Sequence, residues 1–118
     1  MELIKVLKAI GDENRLRILN LLNQGELCVC EIQYALDTTQ SNTSRHLKNL
    51  SDAGLLVSSK KAQWVSYSIN EDIFQKFPFV KTLLETELNK LHFAEKDTKR
   101  LGECQQMGIP CEWDGKLI

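Results

Sequence analysis

The chain has 118 residues, 42% hydrophobic and 26% charged, with a net charge of −1. Such a composition suits a single globular domain with a modest core and excludes a blanket polyanion binder, so any nucleic-acid contact must come from a local basic patch. No apolar run approaches the roughly 18 residues that span a bilayer, and the amphipathic, acid-bearing start MELIKVLKAI makes a poor signal peptide. The expectation is a cytoplasmic protein with no membrane partner. Residues 1–70 carry a slight basic excess and residues 71–118 a slight acidic one. Four cysteines fall into two pairs, Cys28/Cys30 and Cys104/Cys111. In a reducing compartment such pairs point to metal binding or redox sensing rather than a disulfide framework.

Taken in order, Leu3, Val6, Leu7 and Ile10 recur at helical spacing and predict a first helix. Gly11 ends it, and Asp12 is a suitable N-cap for the next. Over Glu13–Asn23 apolar residues lie on two sides, Leu16, Leu19 and Leu22 on one and Ile18 and Leu21 on the other. Such a helix is packed on two sides, and Gly25 stops it. A third helix runs from about Cys28 to Leu36 with Ile32 and Leu36 inward. Asp37, Thr38 and Thr39 form a turn, and Thr39 caps a fourth helix. On that helix the 3.6-residue period groups Thr43, Leu47, Leu50 and Gly54 on one face and Ser41, Arg45, Lys48, Asn49 and Asp52 opposite, with Ser44 and His46 flanking the boundary.

In LLVSSKKAQWVSYSI, Val65, Tyr67 and Ile69 alternate with Trp64, Ser66 and Ser68, which is strand period. The tip, Lys60-Lys61-Ala62-Gln63, lacks glycine and predicts a longer or looser turn than a two-residue hairpin. Helix–turn–helix followed by a β-hairpin is a winged helix-turn-helix, mostly α with a β-hairpin. Pro78 suits the first turn of a further helix, along which Phe77, Val80, Leu84, Leu88 and Leu91 form a narrow stripe. With the first helix, that stripe offers a pairing surface for a second copy. The predicted division is therefore a DNA-binding and dimerisation domain over residues 1–93 and an irregular C-terminal tail with two cysteines over residues 94–118.

The stretches DENRLRIL (12–19), ELCVCEI (26–32), QSNTSRHLKNLSDAGLL (40–56) and QWVSY (63–67), in this order and spacing, make the chain similar to the ArsR/SmtB metalloregulatory repressors, and to their arsenic-responsive type. The resemblance covers about residues 3–92. It implies a winged-helix homodimer paired through its first and last helices, bound to an inverted-repeat operator in double-stranded DNA and released by metal. Three departures stand out. The arsenic-type motif carries a third cysteine where this chain has Gln33. The cadmium/lead type adds cysteines from an N-terminal arm that has none here. The zinc type uses a His and carboxylate set of which His92 and Glu95 fit half, while Phe79 and Lys81 occupy the other positions.

Cys28 and Cys30 are the candidate ligands. Residues two apart diverge on an ideal helix, but at a helix start the first is not yet helical, so both sulfurs can face one ion. The exposed N–H groups and positive helix end there favour thiolate, the form that binds soft ions. Their bland alternative is two small buried hydrophobes. Trivalent arsenic wants three sulfurs, and Cys104 and Cys111 are the only other thiols. Either they reach back, from the same or the other subunit, or they form a separate site, or they are incidental.

The expected effector is arsenite or antimonite, with no organic cofactor. On the fourth helix Gln40, Ser41, Ser44, Arg45 and His46 are candidates for base and phosphate contacts, and Lys48, Lys60 and Lys61 for phosphate positioning. The alternative is an ordinary solvated face, and for His46 a structural hydrogen bond. The expected function is a repressor that leaves its operator when ion capture at the third helix tilts the fourth. A thiol-redox or persulfide-sensing repressor of the same fold, or a cadmium/lead sensor, is the alternative. No Gly-rich phosphate loop, paired catalytic carboxylates or His-activated nucleophile is evident, so no enzyme is expected.

Overall fold

The computed structural model describes residues 3–62 and 64–108. Seven α-helices and three strands follow in the order α1 (Leu3–Ile10), α2 (Glu13–Leu22), β1 (Leu27–Cys28), α3 (Val29–Leu36), α4 (Gln40–Asp52), β2 (Leu56–Lys61), β3 (Trp64–Ile69), α5 (Ile73–Lys76), α6 (Pro78–Thr82) and α7 (Ala94–Met107). The caps are local chemistry. The Asp12 carboxylate accepts the Arg15 amide at 3.1 Å, and the Thr39 hydroxyl accepts the Asn42 amide at 3.1 Å. Between α3 and α4 the chain turns at Asp37 (φ 56°), a left-handed position that Asp tolerates. The core joins both sides of α2 to α3 and α4: Ile18, Leu19, Leu21, Ile32, Leu47, Leu50 and Leu55 are all buried.

The sheet is antiparallel in the order β1-β3-β2. The hairpin is tighter than its glycine-free tip predicts. Lys61 pairs with Trp64, leaving only residues 62 and 63 between the strands. Ala62 makes this turn at φ 57°, the positive φ that two-residue hairpins require and that Ala adopts at a steric cost. The two-residue strand β1 is a further addition. Leu27 lies opposite Tyr67 and Cys28 opposite Ser66, and the Ser66 hydroxyl donates to the Glu26 carboxylate.

Two further expectations change. The segment after Pro78 is not one regular helix: α6 passes into a π turn over Leu83–Glu87 and a 3-10 turn over Leu88–Lys90. A π turn displaces carbonyls from their usual partners, and the Asn23 side-chain amide donates to the Leu84 carbonyl. Val80, Leu84 and Leu88 of the predicted stripe are buried, whereas Leu91 is exposed. The expected irregular tail is instead the 14-residue α7 over most of its length. Ala94, Asp97, Leu101 and Cys104 form its buried face, against α2 and α3. Charge at one of those four positions hides the pattern: Asp97 is fully buried and bound by Arg17, with Nε and Nη2 at 2.8 and 2.9 Å from its two oxygens.

Candidate functional site

Cys28 is the N-cap of α3, with extended backbone at φ −87° and ψ 163°. That conformation lets its side chain turn along the helix start, so the Cys28 and Cys30 sulfurs stand 2.9 Å apart, both buried. Glu31 completes a capping box: its Oε1 accepts the Cys28 amide at 3.0 Å and the Cys28 thiol at 3.2 Å. The cysteine that begins α3 is also the last residue of β1 and thus part of the wing sheet.

α7 runs against α3 in the opposite direction. The Gln105 side chain donates to Glu31 Oε2 at 3.4 Å near the start of α3. At its other end Arg100 donates to the Tyr34 carbonyl (2.8 Å) and the Ala35 carbonyl (3.2 Å) while its guanidinium lies 4.8 Å from the Tyr34 ring centre. Arg17 adds a bond to the Leu36 carbonyl at 3.4 Å. The Ala35 and Leu36 carbonyls, of the kind a helix end leaves unpaired, are thus satisfied by two arginines, while the Tyr34 carbonyl accepts from the Asp37 amide as well as from Arg100. Cys104, buried and adjacent in sequence to Gln105, belongs to the thiol end of this pairing. Cys111 lies outside the described residues. Among the described residues no three His, Cys, Asp or Glu side chains already form a group able to hold a metal ion. The donor set is nonetheless chemically suited to a soft, thiophilic ion, with two sulfurs converging at one helix start.

On α4, Gln40, Ser41, Ser44, Arg45 and Lys48 are all exposed, over a buried edge of Thr43, Leu47 and Leu50. Lys48 pairs with Asp52 at 3.0 Å, and Arg45 Nη2 donates to Asn42 at 3.3 Å. Lys60 is exposed on the wing, and Lys61 ends β2. Of the two readings of His46, a DNA contact or a structural hydrogen bond, its burial favours the second. It is 3% exposed, because its position on the helix turns inward toward α1 and α2. Arg15 Nη1 lies 3.4 Å from its Nδ1 and Arg45 Nη2 3.5 Å from its Nε2. Burial, and then the two arginines, hold its pKa below the usual histidine value against the opposing pull of Asp12. Burial alone would raise the Asp12 carboxyl, but the Arg15 amide and guanidinium and His46 hold it below the ordinary range. Arg17 is raised by its bond to Asp97.

Arg15, Glu31, Arg100 and Gln105 escape a reading of the sequence. Only Glu31 carried a local signal, since Cys28-x-x-Glu31 has capping-box spacing with sulfur in place of a hydroxyl.

A helix–turn–helix whose second helix shows a polar, hydrogen-bonding edge beside a two-stranded wing defines a winged helix-turn-helix DNA-binding regulator of transcription. The family model described as bacterial regulatory protein, arsR family, matches residues 12–58. Arsenic resistance transcriptional regulator ArsR1 of Pseudomonas putida is 42% identical over 111 residues, covering 90% of this chain and 84% of that one. The arsenical resistance operon repressor of Escherichia coli is 45% identical over 71 residues, 59% of this chain and 61% of its own length. Among solved structures, the homodimeric winged helix-turn-helix DNA-binding domain of a Mycobacterium bovis protein is similar, with TM-score 0.60 and 31% identity over 75% of this chain and 83% of that one. The chain belongs to the ArsR family. No helix among the described residues is long and apolar enough to cross a membrane.

Proposed function

We propose that this protein is a homodimeric repressor that binds an inverted-repeat operator and releases it when Cys28 and Cys30 capture trivalent arsenic or antimony. The observation that carries this reading is the buried sulfur pair, 2.9 Å apart, at the start of the helix that leads into the DNA-reading helix. Bound there, the ion would supply a soft electrophilic centre that replaces the thiol protons with sulfur bonds. Cys104, on the helix packed along α3, is the third sulfur in this reading, with Cys111 as the competing donor. α3 and α4 share a short turn and a packed face, so strain at the start of α3 reaches the angle of α4. Two recognition helices must sit roughly 34 Å apart on the duplex, and a small tilt spoils simultaneous docking. Gln40, Ser41, Ser44 and Arg45 read the groove, and Lys48, Lys60 and Lys61 hold phosphates.

The outer face of α1 supports the dimer: Leu3, Ile4 and Leu7 are 46, 57 and 42% exposed, more apolar surface than one short helix usually leaves in water. Val80, Leu84 and Leu88, which the sequence offers for pairing, are buried inside the subunit instead, so the proposed pairing surface is the outer face of α1 together with exposed residues of α6 such as Phe79.

The decisive experiment combines X-ray absorption with operator release. Wild type should show three sulfurs, and Cys104→Ser two, with weaker induction. Cys28→Ser/Cys30→Ser should stay on DNA at every arsenite concentration. Release by that double variant would overturn the proposal. The same closeness of the two sulfurs supports a second reading, a thiol-redox sensor. Mass spectrometry after mild oxidant tells the two apart.

A further inference from the structure

His46 stands where the DNA-reading helix meets the body of the protein. A neutral imidazole has one N–H and one acceptor nitrogen, yet both its nitrogens face guanidinium donors, Arg15 at Nδ1 and Arg45 at Nε2. It can accept from only one of them at a time. The two arginines do different work. Arg15 is anchored in the body: its Nε donates to the Ala9 carbonyl at 2.6 Å and its Nη2 to the Lys8 carbonyl at 3.3 Å. It therefore caps the end of α1, the helix with the exposed apolar face. Arg45 is exposed on α4 and otherwise bonded to Asn42 of its own helix.

We propose that His46 is a positioning residue whose tautomer links the docking of Arg45 on DNA to the clasping of α4 onto the α1–α2 body. With Arg45 folded back, Nε2 accepts from it and the proton sits on Nδ1, opposing the Arg15 donor. The contact between α4 and α1 is then slack. When a guanine edge or phosphate draws Arg45 away, Nδ1 gives its proton to water and Nε2 takes one up, so the ring stays neutral. Nδ1 then accepts from Arg15, and α4 is bonded through one guanidinium to the helix proposed to pair the subunits. DNA contact by one side chain thereby stiffens the spacing between the two recognition helices. The clasp rests on Arg45 being a DNA contact, as proposed above.

The test is histidine 15N NMR on the full chain, with a His92→Gln variant to assign the two histidines. The probe is a duplex selected by the wild-type protein from random-sequence DNA. Addition of duplex should move His46 from the Nδ1–H to the Nε2–H form. Arg45→Ala should show that form without DNA and bind the duplex at least about tenfold more weakly, the loss expected for one good base contact. If Arg45→Ala binds weakly but DNA leaves the His46 nitrogens unmoved in wild type, the clasp is wrong and the Arg45 contact stands. If Arg45→Ala binds as wild type does, both fail.

Discussion

At the scale of single residues, one side chain often holds two elements together. Cys28 closes a strand and caps a helix, and Glu31 serves both the backbone and the thiol of that cap. His46 gives the clearest pH signature. Its folded pKa lies below its unfolded value of about 6.5. As pH falls through about 6.5, the unfolded chain binds a proton that the folded chain refuses, so stability present above that pH is lost below it. Urea midpoints at pH 7.5 and 5.5 should therefore drop more in wild type than in His46→Gln. Residue-level reading of the sequence succeeds where the signal is local: Asp12 and Thr39 are caps as their types predict. For His46 it leaves two readings open, a DNA contact or a structural hydrogen bond, because an (i, i+3) neighbour of Thr43 sits at the edge of the buried stripe, and only tertiary packing decides which way such a residue faces.

At the scale of elements, α7 carries the main correction. Its inward positions 94, 97, 101 and 104 have helical spacing, but one is an aspartate, and Gly102 interrupts the run. A pattern of apolar residues alone cannot register a charge buried by a partner 80 residues away. That partner makes a sharp prediction. Asp97→Asn leaves the Arg17 guanidinium without its counter-charge and should cost about 3 kcal/mol in urea unfolding, the scale of a broken buried pair. The wing offers the opposite case. Ala62→Gly removes the Cβ from a left-handed position and should raise stability by up to about 1 kcal/mol, since relief of strain outweighs the added chain entropy of glycine. A thermal melt checks it. Both the hairpin and the helix–turn–helix were legible from period alone. The π turn was not, because what accompanies it is the Asn23 side chain, distant in sequence.

At the scale of the whole molecule, the winged-helix class follows from the order of short signals, whereas membership of the ArsR family is implied by resemblance and shown by the relatives. Quaternary organisation is the next testable level. In the proposed homodimer, Leu7→Glu places charge on the apolar face of α1 and should give a monomer in sedimentation with unchanged helicity. Operator affinity should then fall by roughly a hundredfold as bivalent docking is lost. α7 also redraws the edge of the folding unit. Arg17 and Arg100 reach the final turn of α3, and Asp97 neutralises the first of them. A fragment cut at residue 93, where the wing and the recognition helix are already complete, would strand a guanidinium and unseal the apolar flank of α3. The packing of α7 on α3 runs through Leu101 and Cys104, so a fusion partner or affinity handle spliced at residue 94 would separate α4 and the wing from the helix that covers α3.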